Sequence, residues 1–355
     1  MKLVTILGAR PQFVKAATVS RALKKASLHE VIIHTGQHFD ANMSQVFFDE
    51  MEIPTPDYNL EISGLNHGAM TGRMLEKIEE VLLVEKPDYV LVYGDTNSTL
   101  AGSLAASKLH IPVAHVEAGL RSYEMKMPEE INRILTDRIS STLFCPTVTA
   151  VKNLEAEGYK NFTCKIVLSG DVMLDAVQFY KSKIETHSTI LEKENLVQQS
   201  FVLATLHRAE NTNDPNRLRE ICTAFNEINS KVKVVLPLHP RTKTFLANEN
   251  IRLHAHIIDP VGYFDMLALL KNCKMVLTDS GGLQKEAYFF EKFCITLRDQ
   301  TEWIELLEAD VNVLAGADKE KIVNLFDANF GKIIKLKEGL YGRGDAASLI
   351  ADHFA

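Results

Sequence analysis

The sequence lacks any apolar run long enough to cross a bilayer, and its opening residues, Lys2-Leu3-Val4-Thr5-Ile6-Leu7, read as a strand rather than a secretory leader. It lacks cysteines at metal-ligand spacing. The 5 that occur, at 145, 164, 222, 273 and 294, are scattered and odd in number, as buried thiols in a reducing compartment would be. It also lacks an excess of positive charge. A net charge of −7 with a pI near 6.0 excludes a general affinity for nucleic acid or an anionic membrane, but not for a small anion held by local cations. No G-x-G-x-x-G run and no Walker lysine motif occur, so neither a Rossmann NAD site nor a P-loop is expected. These absences predict a cytoplasmic protein with no metal, no cofactor, and no nucleic-acid or membrane partner.

What is present is an alternation. A chain of 355 residues is long for one hydrophobic core and natural for two, and 46% apolar with 24% charged residues is ordinary for a globular enzyme. Apolar runs at residues 2–7, 31–34, 88–93, 111–114, 141–145 and 165–168 predict strands. Helical periodicity separates them, over about 11–25, 66–84 and 100–108 and from Pro128 onward, with a further helix expected at 43–51. A polar stretch, 181–199, has the loosest linker composition. A second series then follows, with strands at 201–206, 233–236, 257–259 and 275–278 and a helix at 263–271. The repeated β-α-β-α order specifies an α/β fold of two Rossmann-like domains, their parallel sheets covered by helices and their strand ends facing a cleft that holds a ligand.

Chemistry-bearing residues gather where strands end, the usual ligand side of an open α/β sheet. Gly8-Ala9-Arg10-Pro11 with Lys15 joins a strand to a helix and outlines an anion site, although Arg10 and Lys15 could equally be a solvated loop and helix face. Asp95 ends another strand, as an N-cap or as an acid facing the ligand. Glu117 follows the run at 111–114. Glu129 lies in the first turn of a helix opened by Pro128, where complementing the helix dipole is a sufficient reason for an acid. In the second half, Thr278-Asp279-Ser280-Gly281-Gly282 ends a strand and opens a helix. Its two glycines allow close approach to a diphosphate, and Glu286 is placed to accept from a ribose diol or to be an ordinary helix acid. His207 and His239 end strands as proton carriers or incidentally. Several acids without a metal-binding histidine pattern fit proton transfer, and crowding would raise their proton affinity.

Taken as an ordered set, these residues resemble the non-hydrolysing UDP-N-acetylglucosamine 2-epimerases over essentially the full length. The match rests on Gly8-Ala9-Arg10-Pro11 with Lys15, Gly94-Asp95-Thr96, His115-Val116-Glu117-Ala118-Gly119-Leu120-Arg121, Pro128-Glu129-Glu130, Asn132-Arg133, His207-Arg208, Pro237-Leu238-His239-Pro240 and Thr278 to Gly282. The resemblance implies a GT-B-like fold whose last helix crosses back to the first domain, dividing the chain into 1–170 plus about 340–355 and 171–339. It implies a homodimer acting on a UDP-sugar by elimination and re-addition of UDP through a 2-acetamidoglucal. Asp95, Glu117, Glu129, His207 and Lys15 would be catalytic. Arg10, Arg121, Arg133, Met266, Ser280, Gly281, Gly282 and Glu286 would bind substrate and UDP, and Gln37, His38 and Arg73 match the region of a second, activating UDP-sugar site.

One stretch departs from the pattern. Many members read Thr-Glu-Arg-Pro-Glu where this chain has Thr301-Glu302-Trp303-Ile304-Glu305, a variant resembling the subgroup that epimerises UDP-2,3-diacetamido-2,3-dideoxy-glucuronate for surface polysaccharide. Trp303 would line an altered pocket wall or simply pack. The competing classes are a hydrolysing 2-epimerase, a GT-B glycosyltransferase and a non-catalytic UDP-sugar sensor.

Overall fold

The computed structural model describes residues 1–37 and 54–355. The helix expected at 43–51 lies outside the described residues. The chain forms two compact units, Met1–Gln178 with Glu338–Ala355, and Phe179–Lys337. The first crossing falls later than the Gly170-Asp171 boundary because helix Val172–Lys181 is anchored to the first unit. There the Asp171 N–H donates to the Tyr341 carbonyl (2.9 Å), and the Asp175 carboxylate accepts from the Ala347 N–H (2.8 Å).

The first unit is built on a parallel sheet in the order β3-β2-β1-β4-β5-β6-β7. Its strands are β1 (Lys2–Leu7), β2 (His29–His34), β3 (Tyr58–Asn59), β4 (Tyr89–Tyr93), β5 (Val113–Val116), β6 (Thr142–Cys145) and β7 (Lys165–Leu168). The central strands are mostly apolar, with Thr5 and His115 as buried polar exceptions, because helices cover both faces. On one face, helices His67–Glu85 and Asn97–Lys108 close over Val4, Ile6, Ile33, Val90 and Val92. Asn97–Lys108 sits low on the sheet because its face is small: a Cβ on Gly102 would stand 2.6 Å from Ile6 Cδ1. β5 begins two residues after the expected run. Pro112 has no N–H to donate and offers only its carbonyl, which accepts from Val90 (2.9 Å). Glu117 therefore follows the strand directly.

The last helix, Ala346–Phe354, belongs to the first unit, with Phe354 edge-on to Tyr89 (5.1 Å between centroids) and close to Phe144 (6.0 Å). The second unit carries a parallel sheet ordered β10-β9-β8-β11-β12-β13. Its strands are β8 (Phe201–Thr205), β9 (Lys233–Pro237), β10 (His256–Ile258), β11 (Met275–Thr278), β12 (Cys294–Thr296) and β13 (Asn312–Leu314). In each sheet the order reverses once, between β1 and β4 and between β8 and β11, and such a switch point opens a crevice at the carboxyl ends of the strands. The cysteines at 145, 222, 273 and 294 are buried free thiols, and burial pushes those of Cys222, Cys273 and Cys294 up to about 12.

Asp175 gives a stability prediction. Burial pushes its carboxyl up to about 6, against the lowering effect of the Ala347 and Ala346 amides. A carboxyl that binds its proton more tightly folded than unfolded favours the fold at low pH, and that contribution is lost as pH rises from about 4 to about 6. Asp175→Asn keeps an acceptor for Ala347 without the buried charge. Its melting temperature should match the parent's near pH 4 and exceed it by pH 7, by on the order of 1 kcal/mol in stability. A constant difference across that range would contradict this.

Candidate active site

In the first unit the switch point is closed by Gln12, which is buried near the start of helix Arg10–Lys25. Its Oε1 accepts from the Gly8 and Ala9 N–H groups (2.8 and 2.9 Å), and its Nε2 donates to the Tyr93 carbonyl (2.8 Å) and Thr99 Oγ1 (3.0 Å). The Gly8 and Ala9 amides of this turn are thereby spent on Gln12. Gly8 is required for close approach instead, since a Cβ would stand 2.0 Å from Ser98 Oγ. Arg10 is the first residue of the helix.

One turn on, Lys15 is buried in an ion pair with the Glu117 carboxylate. The pair lies over Gly94, where a Cβ would meet Glu117 Oε2 and Lys15 Nζ, both at 3.3 Å; Gly94 also has a φ of 62°. Glu117 itself is held at φ 75°. That left-handed backbone costs a non-glycine residue about 1–3 kcal/mol and is kept at sites where the surroundings over-determine it.

Asp137, fully buried on helix Pro128–Ile139, fixes this corner. It meets His115 Nδ1 (2.6 Å), Arg121 Nη1 (2.7 Å) and the Gly119 N–H (3.1 Å). His115 Nε2 in turn donates to the Gly94 carbonyl (2.7 Å), so one carboxylate sets the loops after β4 and β5 together. Burial opposes ionisation of Asp137, but His115 and Arg121 outweigh it and hold the carboxyl below its usual value.

Arg121, expected to bind substrate, is 1% exposed and spent on Asp137 and Glu157. Arg133, expected there too, is buried between Glu130 (2.6 Å) and Asp95 (2.6 Å). Both arginines support the acids. Glu130 also accepts from the Ser122 and Tyr123 N–H groups, at 3.0 and 2.9 Å. Asp95 is not an N-cap; that role falls to Thr96, which accepts from the Thr99 N–H (3.3 Å). Asp95 and Glu117 thus each face a cation. Glu129 lies half-buried in the first turn of Pro128–Ile139.

The second unit repeats the device. Asp279, fully buried after β11, accepts from the His207 and Arg208 N–H groups (3.0 and 2.9 Å) and from Asn211 Nδ2 (3.3 Å). The His207 ring stands beside it, Nδ1 at 3.4 Å, with half of the side chain accessible. Desolvation lowers the imidazole pKa, Arg208 and His239 lower it further, and Asp279 opposes them; the ring is neutral at pH 7.

Ser280 is the N-cap of helix Gly281–Phe289 and makes no side-chain capping bond. The amides of such a first turn have no intrahelical acceptor and favour an anion. The two glycines differ. A Cβ on Gly281 would stand 2.5 Å from Glu302 Oε1, whereas one on Gly282 would meet nothing within 4 Å, so the cradle opens at Gly282. Glu286 is buried on the same helix, and Met266 is half-buried on Tyr263–Asn272. Of the second-site residues, Gln37 accepts from the Ser98 N–H (3.1 Å) and hydroxyl (2.8 Å), Arg73 is exposed, and His38 lies outside the described residues.

Sequence reasoning did not single out Gln12, Asp137 or Asp279, whose side chains work through backbone groups far away in sequence. An acid directly after a strand, as at Asp279, was the one available signal.

Two doubly wound parallel sheets, with acids at one switch point and a glycine-opened helix at the other, define a GT-B-like enzyme of nucleotide-sugar chemistry. Residues 21–355 match the family model described as UDP-N-acetylglucosamine 2-epimerase, and the chain belongs to that family. As a member it is an isomerase acting on UDP-sugars. The chain is 56% identical over 357 residues to the UDP-2,3-diacetamido-2,3-dideoxy-D-glucuronate 2-epimerase of Pseudomonas aeruginosa, covering 100% of this chain and 99% of that protein. The UDP-N-acetylglucosamine 2-epimerase of Methanocaldococcus jannaschii is 46% identical over 342 residues, covering 94% of this chain and 93% of that one. A crystal structure of the M. jannaschii UDP-GlcNAc 2-epimerase in complex with UDP-GlcNAc and UDP superposes with a TM-score of 0.92 at 44% identity, covering 100% and 99% of the two chains.

Truncating Asp137 to alanine would leave Arg121 and His115 buried without their shared carboxylate. Chemical denaturation should show a loss of about 3–5 kcal/mol. A loss below about 1 kcal/mol would contradict the assignment of Asp137 as the hub of this corner.

Proposed function

We propose that the protein is a non-hydrolysing, cofactor-independent 2-epimerase that interconverts UDP-N-acetylglucosamine and UDP-N-acetylmannosamine. The observation that carries this reading is the placement of Asp95 and Glu117 at one switch point, each held by a buried cation, in a family whose members act on UDP-sugars. C2–H has no adjacent carbonyl to acidify it, so inversion proceeds by elimination. The C2–H electron pair becomes the C1=C2 bond as the C1–O pair leaves with UDP. UDP then re-adds at C1 while C2 is protonated on the other face.

Asp95, Glu117 and Glu129 supply the proton transfers. Lys15 orients Glu117, and the neutral His207 donates to the departing diphosphate. Arg10, Ser280, Gly281 and Gly282 hold the diphosphate, Glu286 accepts from the ribose diol, and Met266 belongs to the same uridine-binding set. In this reading the enzyme is a cytoplasmic homodimer without nucleic-acid or membrane partners. An activating UDP-sugar would bind around Gln37, His38 and Arg73.

A second substrate is favoured by one observation. The identity to the diacetamido-glucuronate epimerase, 56% over the whole chain, exceeds the 46% to the M. jannaschii enzyme, and the Trp303 variant points the same way. The reaction is the same on either sugar. Incubating each substrate separately in D2O decides between them: the true one gains deuterium at C2 as its epimer forms. Absence of exchange with both would sink the epimerase reading, and steady accumulation of UDP with free sugar would select the hydrolysing one.

The roles also separate kinetically. Glu117→Gln should lower kcat by on the order of 10²–10⁴ while UDP affinity stays within about twofold. Glu286→Ala should mainly raise KM. The reverse pattern would show that the two sets of residues have been exchanged.

A further inference from the structure

Asp95 is held by more than its pair with Arg133. A residue's backbone has two soft rotations, one on each side of its Cα, so gripping the peptide planes before and after it restrains both. The plane before Asp95 is gripped at the Gly94 carbonyl, which accepts from His115 Nε2 (2.7 Å). The plane after it is gripped at the Asp95 carbonyl, which accepts from Asn132 Nδ2 (2.9 Å). Arg133 Nη2 then fixes the side chain by donating to Asp95 Oδ2 (2.6 Å).

Asn132 is 6% exposed. Its partner settles the orientation of its amide, because a carbonyl can only accept. The same Nδ2 stands 3.4 Å from Asn97 Oδ1, at the start of the helix that follows Asp95. On helix Pro128–Ile139, Asn132 and Arg133 lie three and four residues after Glu129, so the three share one face. One rigid helix therefore carries one acid and grips the other, at its backbone through Asn132 and at its side chain through Arg133. The long arginine can follow a carboxylate that moves; the short, buried amide cannot.

Resting on the reading that Asp95 and Glu129 transfer protons at C2, we propose that Asn132 is a positioning residue that fixes Asp95 relative to Glu129. It acts through the Asp95 carbonyl. Loss of that bond frees the peptide plane after Asp95 and lets the carboxylate drift. A shift of about 1 Å costs a reacting group on the order of 10²-fold in rate. Affinity for UDP, which other residues hold, is untouched.

The test is a mutant cycle of the parent, Asn132→Leu, Asp95→Asn and the double variant. UDP affinity is measured by titration. Epimerisation is assayed on UDP-N-acetylglucosamine and on UDP-2,3-diacetamido-2,3-dideoxy-glucuronate, and kcat and KM are read on whichever the parent turns over. Asn132→Leu, close in size but without a donor, should lower kcat by about 10- to 100-fold, with KM and UDP affinity within about twofold. Added to Asp95→Asn, the same change should cost less than about threefold, because the group it positions is already disabled. Asn132→Ser, one bond too short to reach the carbonyl, should behave alike and carries the test if the leucine variant does not fold. Parental kcat in these variants, an equal factor lost in both backgrounds, or a parallel loss of UDP affinity would overturn the proposal and leave Asn132 a structural residue. Parental kcat in Asp95→Asn alone would instead overturn the reading of Asp95 as a catalytic acid, and this proposal with it.

Discussion

A single buried carboxylate, Asp137, holds together the candidate active-site corner of the first unit. Without it, Arg121 and His115 would be left in a dry interior with no shared acceptor, and the Gly119 amide would lose its partner. Through His115 its influence reaches the Gly94 carbonyl, and so the backbone that leads to Asp95. Two loops that follow different strands are thereby set by one group, which is how a parallel sheet can present acids in fixed relation without a disulfide or metal. The strained backbone at Glu117 is tolerable in that setting, because β5, the Lys15 pair and the Gly94 contact all constrain the same residue.

The second unit reaches the same end by a shorter route. Asp279 lies in the loop after β11 and grips the loop after β8 through two backbone amides, placing His207 beside the opening of the cradle helix. In the second unit a buried aspartate spans the switch point between β8 and β11, whereas in the first Asp137 joins the loops after β4 and β5 and Gln12 closes the switch itself. Such carboxylates cost desolvation and are stable only because every approach to them is a donor.

Much of this was legible in the sequence. The strand–helix alternation followed from apolar runs closed by Gly, Asp or His, and Pro128 marked a helix start correctly because its missing N–H is harmless there. Short elements escaped notice: β3, β12 and β13 have two or three residues each, too few for periodicity to register. Strand-end acids could be named, but their partners could not. The resemblance puts Arg121 and Arg133 at the substrate, and sequence carries no measure of their burial. Their pairing with Glu157, Asp137, Glu130 and Asp95 depends on contacts made only once the sheet is assembled. Trp303 was visible as a departure, yet its partner Lys285 became apparent only when the cradle helix was seen to pack against it.

In the proposed reaction the enzyme breaks and remakes the C1–O bond of a UDP-sugar. Labelling the bridging glycosidic oxygen with ¹⁸O tests that bond directly. If UDP departs and returns, the label scrambles into the non-bridging oxygens of the β-phosphate as the epimers interconvert. Epimerisation with the label fully retained in the bridge would mean that C1–O never breaks, and would contradict elimination of UDP.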